Sequence, residues 1–265
     1  MKNAIHSHLS AEYPWRDRFF HVSTIGSTND HLKQLARQGA PHGTVLIADH
    51  QTNGHGRMGR SFHSGADVGV YLSILLRPQC SPGELMHLTC AAAAAMCDAV
   101  EASAGFRPGI KWTNDLVWQR KKLGGILTEL GFGKNGSVDY AVIGIGINCC
   151  QKTEDFPLEI QSIAASLSMI SGEMIDRSKV AAAMMDALYR MDRRLLSEKA
   201  EILQQYRKNC ITIGQHISLV RGEDVQYGTA LSVDDAGALV VRFTDGSIQT
   251  INSGEVSIRG MYGYV

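Results

Sequence analysis

Residues 110–148 read IKWTNDLVWQRKKLGGILTELGFGKNGSVDYAVIGIGIN, and this stretch decides the architecture. Short runs rich in Val, Ile, Leu and Trp alternate with polar or glycine-bearing breaks, a grammar of strands and turns with no 3.6-residue periodicity. The spacing predicts strands over 110–112, 115–118, 123–130 and 138–148, with Gln119-Arg120-Lys121-Lys122 as the turn of a hairpin. In the last run Val142, Ile143, Ile145 and Ile147 are interrupted by Gly144 and Gly146. Glycine inside a strand marks a place where another backbone or a ligand comes close.

Upstream, Ser27-Thr28-Asn29-Asp30 precedes Leu32, Leu35 and Ala36 at helical spacing, with Gly39 and Pro41 as stops, so Ser27 or Thr28 caps a short helix. A strand over 44–48, the glycine loop GHGRMGR at 54–60, a strand over 70–76 and an alanine-rich helix over 82–103 follow. The loop is formally a GxGxxG (Gly54, Gly56, Gly59), but the polar SFHSGADVG after it is too short for a crossover helix, so a dinucleotide fold is not expected. Downstream, a helical region over 176–210 gives way to short strands punctuated by Gly and Asp-Gly turns. The expectation is an α/β (α+β) domain over 1–210, with a mixed, mostly antiparallel sheet and flanking helices, and a small β-barrel over 211–265.

With 265 residues, 44% apolar and 20% charged, the chain has an ordinary globular composition and a formal net charge of zero, so no global basic field draws it to nucleic acid. No apolar stretch is read as long enough to span a bilayer, and the first twenty residues lack a signal peptide's apolar centre, which gives a cytoplasmic expectation. The six cysteines form no CxxC pair and suit free thiols in a reducing compartment. His50, His55 and His63 sit near one loop at a spacing that matches no usual zinc pattern, and no protein-built metal site is expected.

The loop itself suits an anion. Glycines let backbone N–H groups approach a ligand closely, while Arg57 and Arg60 present planar, permanently charged forks for phosphate or carboxylate. Three other polar sets accompany it: Ser27-Thr28-Asn29, KWTND at 111–115 and KKLGGIL at 121–127, with Gln51 opening the loop segment. Taken singly, each has a bland reading. Two lysines at a hairpin turn are commonly solvated charge, Trp112 is commonly core, and Asp115 can simply hold a turn.

Together, in this order and at these intervals, the four sets resemble the biotin protein ligases, which attach biotin to carboxylase carrier domains. The resemblance implies a catalytic domain followed by a small barrel of the src-homology-3 type. It implies that Ser27, Thr28, Asn29, Gln51, His55, Gly56, Arg57, Lys122 and Gly124 surround biotin, and that Arg57, Arg60, Phe62, Lys111, Asn114 and Asn148 face ATP. It further implies two steps: the biotin carboxylate attacks the α-phosphorus of ATP with loss of pyrophosphate, and a carrier lysine amine then takes the acyl group from the adenylate. Lys122, Arg57, Lys111 and Asp115 are the catalytic candidates, with Mg2+ carried on the ATP phosphates and Asp115 orienting or deprotonating the incoming ammonium.

The family's loop usually reads GRGRxGRxW; here it is GHGRMGRSF, so His55 and Phe62 replace an arginine and a tryptophan, and Thr113 replaces a proline in KWTND. Relatives that repress transcription carry an N-terminal winged helix-turn-helix. Only about twenty residues precede the resembling region here, so a ligase without a nucleic-acid partner is expected, as monomer or homodimer. A lipoate or octanoate ligase or transferase, and a non-catalytic regulator that senses biotinyl-adenylate, are the alternatives. The loop over 51–60 is expected to order over ligand as a water-excluding flap.

Overall fold

The computed structural model describes residues 1–252 and, as backbone strand, 257–260. The chain runs α1 (Lys2–His8), β1 (Phe19–Ile25), α2 (Thr28–Arg37), β2 (Thr44–Gln51), β3 (Gly69–Leu76), α3 (Leu88–Ala104), β4 (Gly109–Lys111), β5 (Asp115–Trp118), β6 (Lys121–Phe132), β7 (Val138–Asn148), α4 (Leu167–Ser171), α5 (Arg177–Arg194) and α6 (Lys199–Asn209). The strands form one seven-stranded sheet in the order β1-β2-β3-β7-β6-β5-β4, with β1 parallel to β2 and every other pairing antiparallel. Then β8 (His216–Arg221), β9 (Asp224–Val233), β10 (Leu239–Phe243), β11 (Ile248–Ile251) and β12 (Ser257–Gly260) make a second, antiparallel sheet in the order β11-β10-β9-β8-β12.

Strand alternation sorts the large sheet into two unequal faces. From β3, Val70, Leu72, Ile74 and Leu76 join the main core under α3 and α5, as do Ala141, Ile143, Ile145 and Ile147 of β7. The opposite face carries Tyr140 and Val142 of β7 and Leu75 of β3 in a smaller cluster, covered by Leu32 and Ala36 of α2. Because α2 has only ten residues, it covers part of that face. Beyond its amino end the same face of β7 continues as Gly144 and Gly146, and there the sheet lies open to a cavity.

Ser27 caps α2 as expected, its hydroxyl accepting the Asp30 N–H at 3.3 Å. The segment Pro82–Ala104 is long and apolar enough by length and composition to cross a membrane, contrary to the sequence reading, but 72% of its most apolar eighteen residues are buried inside the molecule, as in a core helix. Two further differences concern local geometry. The β5–β6 turn is Gln119-Arg120 alone, both at positive φ (44° and 68°), so Lys121 and Lys122 open the strand. The helical region over 176–210 is divided at residues 195–198, where the Leu195 carbonyl accepts a hydrogen bond from His87 Nε2 at 2.9 Å instead of continuing the helix ladder.

The sheets meet through the segment after α6 and the turn before β10. The Trp112 backbone N–H donates to Thr212 Oγ1 at 2.9 Å, and the Trp112 indole N–H donates to the Gly237 carbonyl at 3.0 Å. Asp234 Oδ1 holds that turn by accepting from the Ala236 and Ala238 N–H groups, each at 2.9 Å. The expected extension of the small unit to residue 265 runs past the described residues, since 253–256 and 261–265 lie outside them.

Candidate active site

A cavity of about 510 Å³ opens between the amino end of α2, the 52–68 connection, the β4–β5 turn and the first half of β6. One end is polar and neutral. Ser73, fully buried on β3, places its hydroxyl 2.7 Å from Thr28 Oγ1 and 2.6 Å from Asn29 Oδ1. Thr28 donates both its N–H (2.8 Å) and its hydroxyl (2.9 Å) to Gln51 Oε1. Gln51 Nε2 in turn donates to Ser64 Oγ at 3.1 Å, and Ser64 donates to the Phe62 carbonyl at 3.2 Å. Asn29 Nδ2 donates to Glu129 Oε2 at 2.9 Å. Both amides in this chain, Asn29 and Gln51, therefore have a fixed orientation, and their residual polar valences are directed with it.

The other end is charged. Asp115 begins β5, and its Oδ1 lies 2.7 Å from Lys122 Nζ on the neighbouring strand. Lys122 is held at the backbone on its far side, where its N–H donates to the Ile163 carbonyl (2.7 Å) and its carbonyl accepts from Ala165 (2.9 Å). Arg57 reaches in from the flap and donates through Nη1 to Asn114 Oδ1 at 3.0 Å. Asn114 is itself clamped to β6, Nδ2 to the Ile126 carbonyl at 2.9 Å. The second terminal nitrogen of Arg57, Nη2, is buried with no hydrogen-bond partner. Burial holds the Arg57 guanidinium below the usual arginine range, with Arg60 adding to the effect and the Asp115 carboxylate opposing it. A buried guanidinium with an unmet donor is costly, and an anion in the cavity would satisfy it.

The glycines of β7 serve this geometry. A Cβ on Gly144 would sit 2.0 Å from Asn29 Oδ1, and one on Gly146 would sit 2.4 Å from the Phe62 ring. The close approach anticipated at these positions is therefore made by two side chains, an amide from α2 and an aromatic from the flap. Phe62 also meets Tyr71 edge-on, with centroids 6.4 Å apart. The flap neck closes through a bridge between His55 and Ser61 and through the Gly56 N–H donating to the Arg60 carbonyl at 2.6 Å. Its Arg57–Gly59 segment is one tight turn with Met58 in the left-handed region (φ 57°), and β3 returns antiparallel to β2, so the dinucleotide reading has no counterpart.

Most residues expected at the site line this one cavity. Ser27, Thr28, Asn29 and Gln51 come from its polar end, and His55, Gly56, Arg57, Arg60 and Phe62 come from the flap. Lys111, Asn114, Asp115 and Lys122 come from β4 to β6. Two expected residues lie outside the lining. Gly124 packs against β7, where a Cβ would meet the Gly146 carbonyl oxygen at 2.4 Å, and Gly125 takes its place on the wall. Asn148 is buried beyond the cavity, donating to the Ala165 carbonyl at 3.0 Å and accepting from Gln151 Nε2 at 3.2 Å. Ser73 was not anticipated; the one serine in the otherwise apolar and aromatic run GVYLSILL is the signal it leaves in the sequence.

Comparison with known proteins places the chain in a family. Residues 22–148 match the Biotin/lipoate A/B protein ligase family and residues 212–259 match the Biotin protein ligase C terminal domain. The bifunctional ligase/repressor BirA of Bacillus spizizenii is 37% identical over 235 residues, covering 88% of this chain and 72% of that protein. The biotin--[acetyl-CoA-carboxylase] ligase of Mycobacterium tuberculosis is 32% identical over 242 residues, covering 89% and 86%. The structure of the biotin protein ligase from Aquifex aeolicus in complex with biotin and ATP superposes with a TM-score of 0.77 at 28% identity, over 91% of this chain and 98% of that one. Sequence, fold and cavity thus converge, and the chain belongs to the biotin protein ligase family.

Proposed function

We propose that this chain activates biotin with ATP and transfers it to a lysine of the biotin carboxyl carrier protein of acetyl-CoA carboxylase. The observation that carries the reading is the division of one cavity into an oriented, neutral hydrogen-bonding end and a cationic end where a buried Arg57 nitrogen is unpaired. Biotin has the same polarity: a neutral bicyclic urea with donors and an acceptor at one end, and a carboxylate at the other. A ring held by Ser27, Thr28, Asn29 and Gln51 directs its chain toward Arg57 and Lys122.

In the first step a carboxylate oxygen bonds to the α-phosphorus of ATP and pyrophosphate leaves. At about 4 Å and an effective dielectric near 20, two unit negative charges repel by roughly 4 kcal/mol, which cationic donors must offset. Arg57 and Lys122 supply that charge where it develops in the transition state. In this reading magnesium enters as part of the nucleotide substrate, carried on the ATP phosphates. Phe62, Arg60 and Lys111 form the nucleotide side of this reading.

In the second step a carrier lysine nitrogen bonds to the acyl carbon, the acyl–phosphate bond breaks, AMP leaves, and the nitrogen gives up a proton. Asp115 is the group that receives or directs that ammonium, and its contact with Lys122 links the two steps. When phosphate draws Lys122 away, the Asp115 carboxylate exchanges that contact for the incoming cation. The six cysteines, all free thiols, fit a cytoplasmic setting for this chemistry.

The test is direct. Protein incubated with ATP, biotin and a biotin carboxyl carrier domain is expected to raise the carrier's intact mass by one biotinyl group, with lipoate in place of biotin giving no gain. Labelling by lipoate, or adenylate formation with no transfer at any carrier concentration, would overturn the reading.

A further inference from the structure

Glu129 of β6 stands outside the cavity lining, yet it holds a residue that belongs to it. Its Oε2 accepts from Asn29 Nδ2 at 2.9 Å, and the Leu127 carbonyl lies 3.4 Å from the same nitrogen. Its Oε1 lies 2.7 Å from Lys33 Nζ, which also meets Asp30 Oδ1 at 2.9 Å. Carboxylate and carbonyl oxygens only accept, so they require the nitrogen of the Asn29 amide on the β6 side and its oxygen on the side of Ser73.

The hydroxyl chain on the other side of that amide is better satisfied by the reverse. Gln51 Oε1 is fixed as an oxygen by the Thr28 N–H, which donates to it at 2.8 Å. From there three contacts run to Asn29: Gln51 Oε1 to Thr28 Oγ1 at 2.9 Å, Thr28 Oγ1 to Ser73 Oγ at 2.7 Å, and Ser73 Oγ to Asn29 Oδ1 at 2.6 Å. Each hydroxyl carries one hydrogen, so a chain that ends on an amide oxygen at both sides has two hydrogens for these three contacts. Were the Asn29 amide turned over, its nitrogen would donate to Ser73, Ser73 to Thr28 and Thr28 to Gln51, and every contact would hold a hydrogen. Hydroxyls donate or accept and impose no direction of their own; Glu129 and the Leu127 carbonyl impose one.

On the cavity reading proposed above, we infer that Glu129 is a positioning residue: acting through the Asn29 amide, it keeps the neutral end of the cavity one hydrogen short and so set to accept an N–H from the biotin ring. With both Nδ2 hydrogens directed at β6, Asn29 has only an Oδ1 lone pair left to offer. A urea ring brings the N–H groups that such a site lacks, whereas a ligand edge made of acceptors alone brings none and leaves the shortage in place. Lys33 answers the charge of Glu129 from α2, and both side chains are partly exposed, so their ion pair contributes little by itself. What Glu129 supplies to the site is an oxygen that cannot donate.

Glu129→Gln tests it, because the shape is kept while the group facing Asn29 changes: the new amide turns its oxygen to Lys33 and its nitrogen to Asn29, which allows the Asn29 amide to invert. Two readouts are taken. The first is pyrophosphate release, giving kcat and the KM of biotin and of ATP, each at saturating concentration of the other. The second is the Asn29 side-chain amide signal in the NMR spectrum of the ligand-free protein, assigned by its loss in Asn29→Asp. In Glu129→Gln the biotin KM is expected to rise about tenfold or more, with kcat and the ATP KM within about threefold of native, and the amide signal is expected to move upfield as its charged acceptor is lost. Lys33→Met, which removes the ion pair and leaves the acceptor, is expected to keep the biotin KM within about threefold and the signal downfield. An unchanged biotin KM or an unmoved signal in Glu129→Gln, equal losses for biotin and ATP, or a Lys33→Met chain as impaired as Glu129→Gln overturns the inference. If the native chain releases no pyrophosphate with biotin while the amide signal responds as described, the positioning of Asn29 stands and the biotin reading fails.

Discussion

Lys122 Nζ rests 2.7 Å from Asp115 Oδ1 across the β5–β6 hairpin, so the cation assigned to the phosphate and the carboxylate assigned to the amine begin as each other's partners. Each is partly exposed, at 29% and 16%, and lies on the wall of the same cavity. The pairing offsets part of the cost of holding a carboxylate on a partly enclosed wall.

Removal of either partner is expected to fail at a different step. Lys122→Ala should reduce pyrophosphate release on the order of 10²- to 10³-fold, the usual loss for a donor that stabilises transition-state charge. Asp115→Ala should retain much of adenylate formation and slow carrier labelling by about 10²-fold, within the range of lost general-base assistance. Pyrophosphate release and carrier labelling, assayed separately on both variants, check this; equal losses in both steps would contradict it.

Gly144 and Gly146 should differ when enlarged. In Gly146→Ala the new methyl meets the Phe62 ring, a cavity-wall side chain held by packing with no polar anchor of its own, so the melting temperature should fall by no more than a few degrees while the ATP KM rises. In Gly144→Ala the methyl meets Asn29 Oδ1, which is anchored to Glu129 and Ser73, so stability and biotin affinity should fall together. Thermal unfolding and calorimetric titration of each ligand separate the two cases.

Ser73→Ala removes the hydroxyl beneath Thr28 and Asn29 and leaves buried polar atoms with one partner fewer. The expected destabilisation is about 1–3 kcal/mol. Biotin binding should weaken more than ATP binding, because Ser73 touches only the neutral end of the cavity. Denaturant unfolding and paired KM measurements check it.

Asp176 caps α5, accepting N–H groups from Ser178 at 2.8 Å and Lys179 at 3.4 Å. Its carboxyl is held below the usual value first by the Ser178 hydroxyl, against some burial, and then by those N–H groups and His8. A carboxyl lowered by folding adds stability that is present above the unfolded-state value and lost as pH falls through the folded one. Asp176→Ala should therefore cost about 0.5–2 kcal/mol near neutral pH. The difference from the native chain should shrink as pH falls below the ordinary aspartate range, as read by unfolding at several pH values.

Much of the large sheet was legible because β3 and β7 bury both faces and announce themselves as dense apolar runs. The edge strand β1, FFHVSTI, carries little strand signal because His21, Ser23 and Thr24 dilute its pattern; its parallel pairing with β2 is what makes the sheet mixed. The β5–β6 turn is two residues shorter than its basic run suggests, since positive φ there falls on Gln119 and Arg120 instead of the glycine or asparagine that normally marks it. At the site, charged and hydroxyl-bearing residues in compact clusters were visible. Ser73 and Gly125 were not, because their roles depend on which strand face they share with residues distant in sequence.

The bond from the Trp112 indole to the Gly237 carbonyl gives the small sheet a hold on the cavity, since Trp112 lies on its wall. With the bond from the Trp112 backbone N–H to Thr212 Oγ1, it ties the carboxy-terminal unit to the cavity wall at two points, so the second sheet is a buttress of that wall and not an appendage.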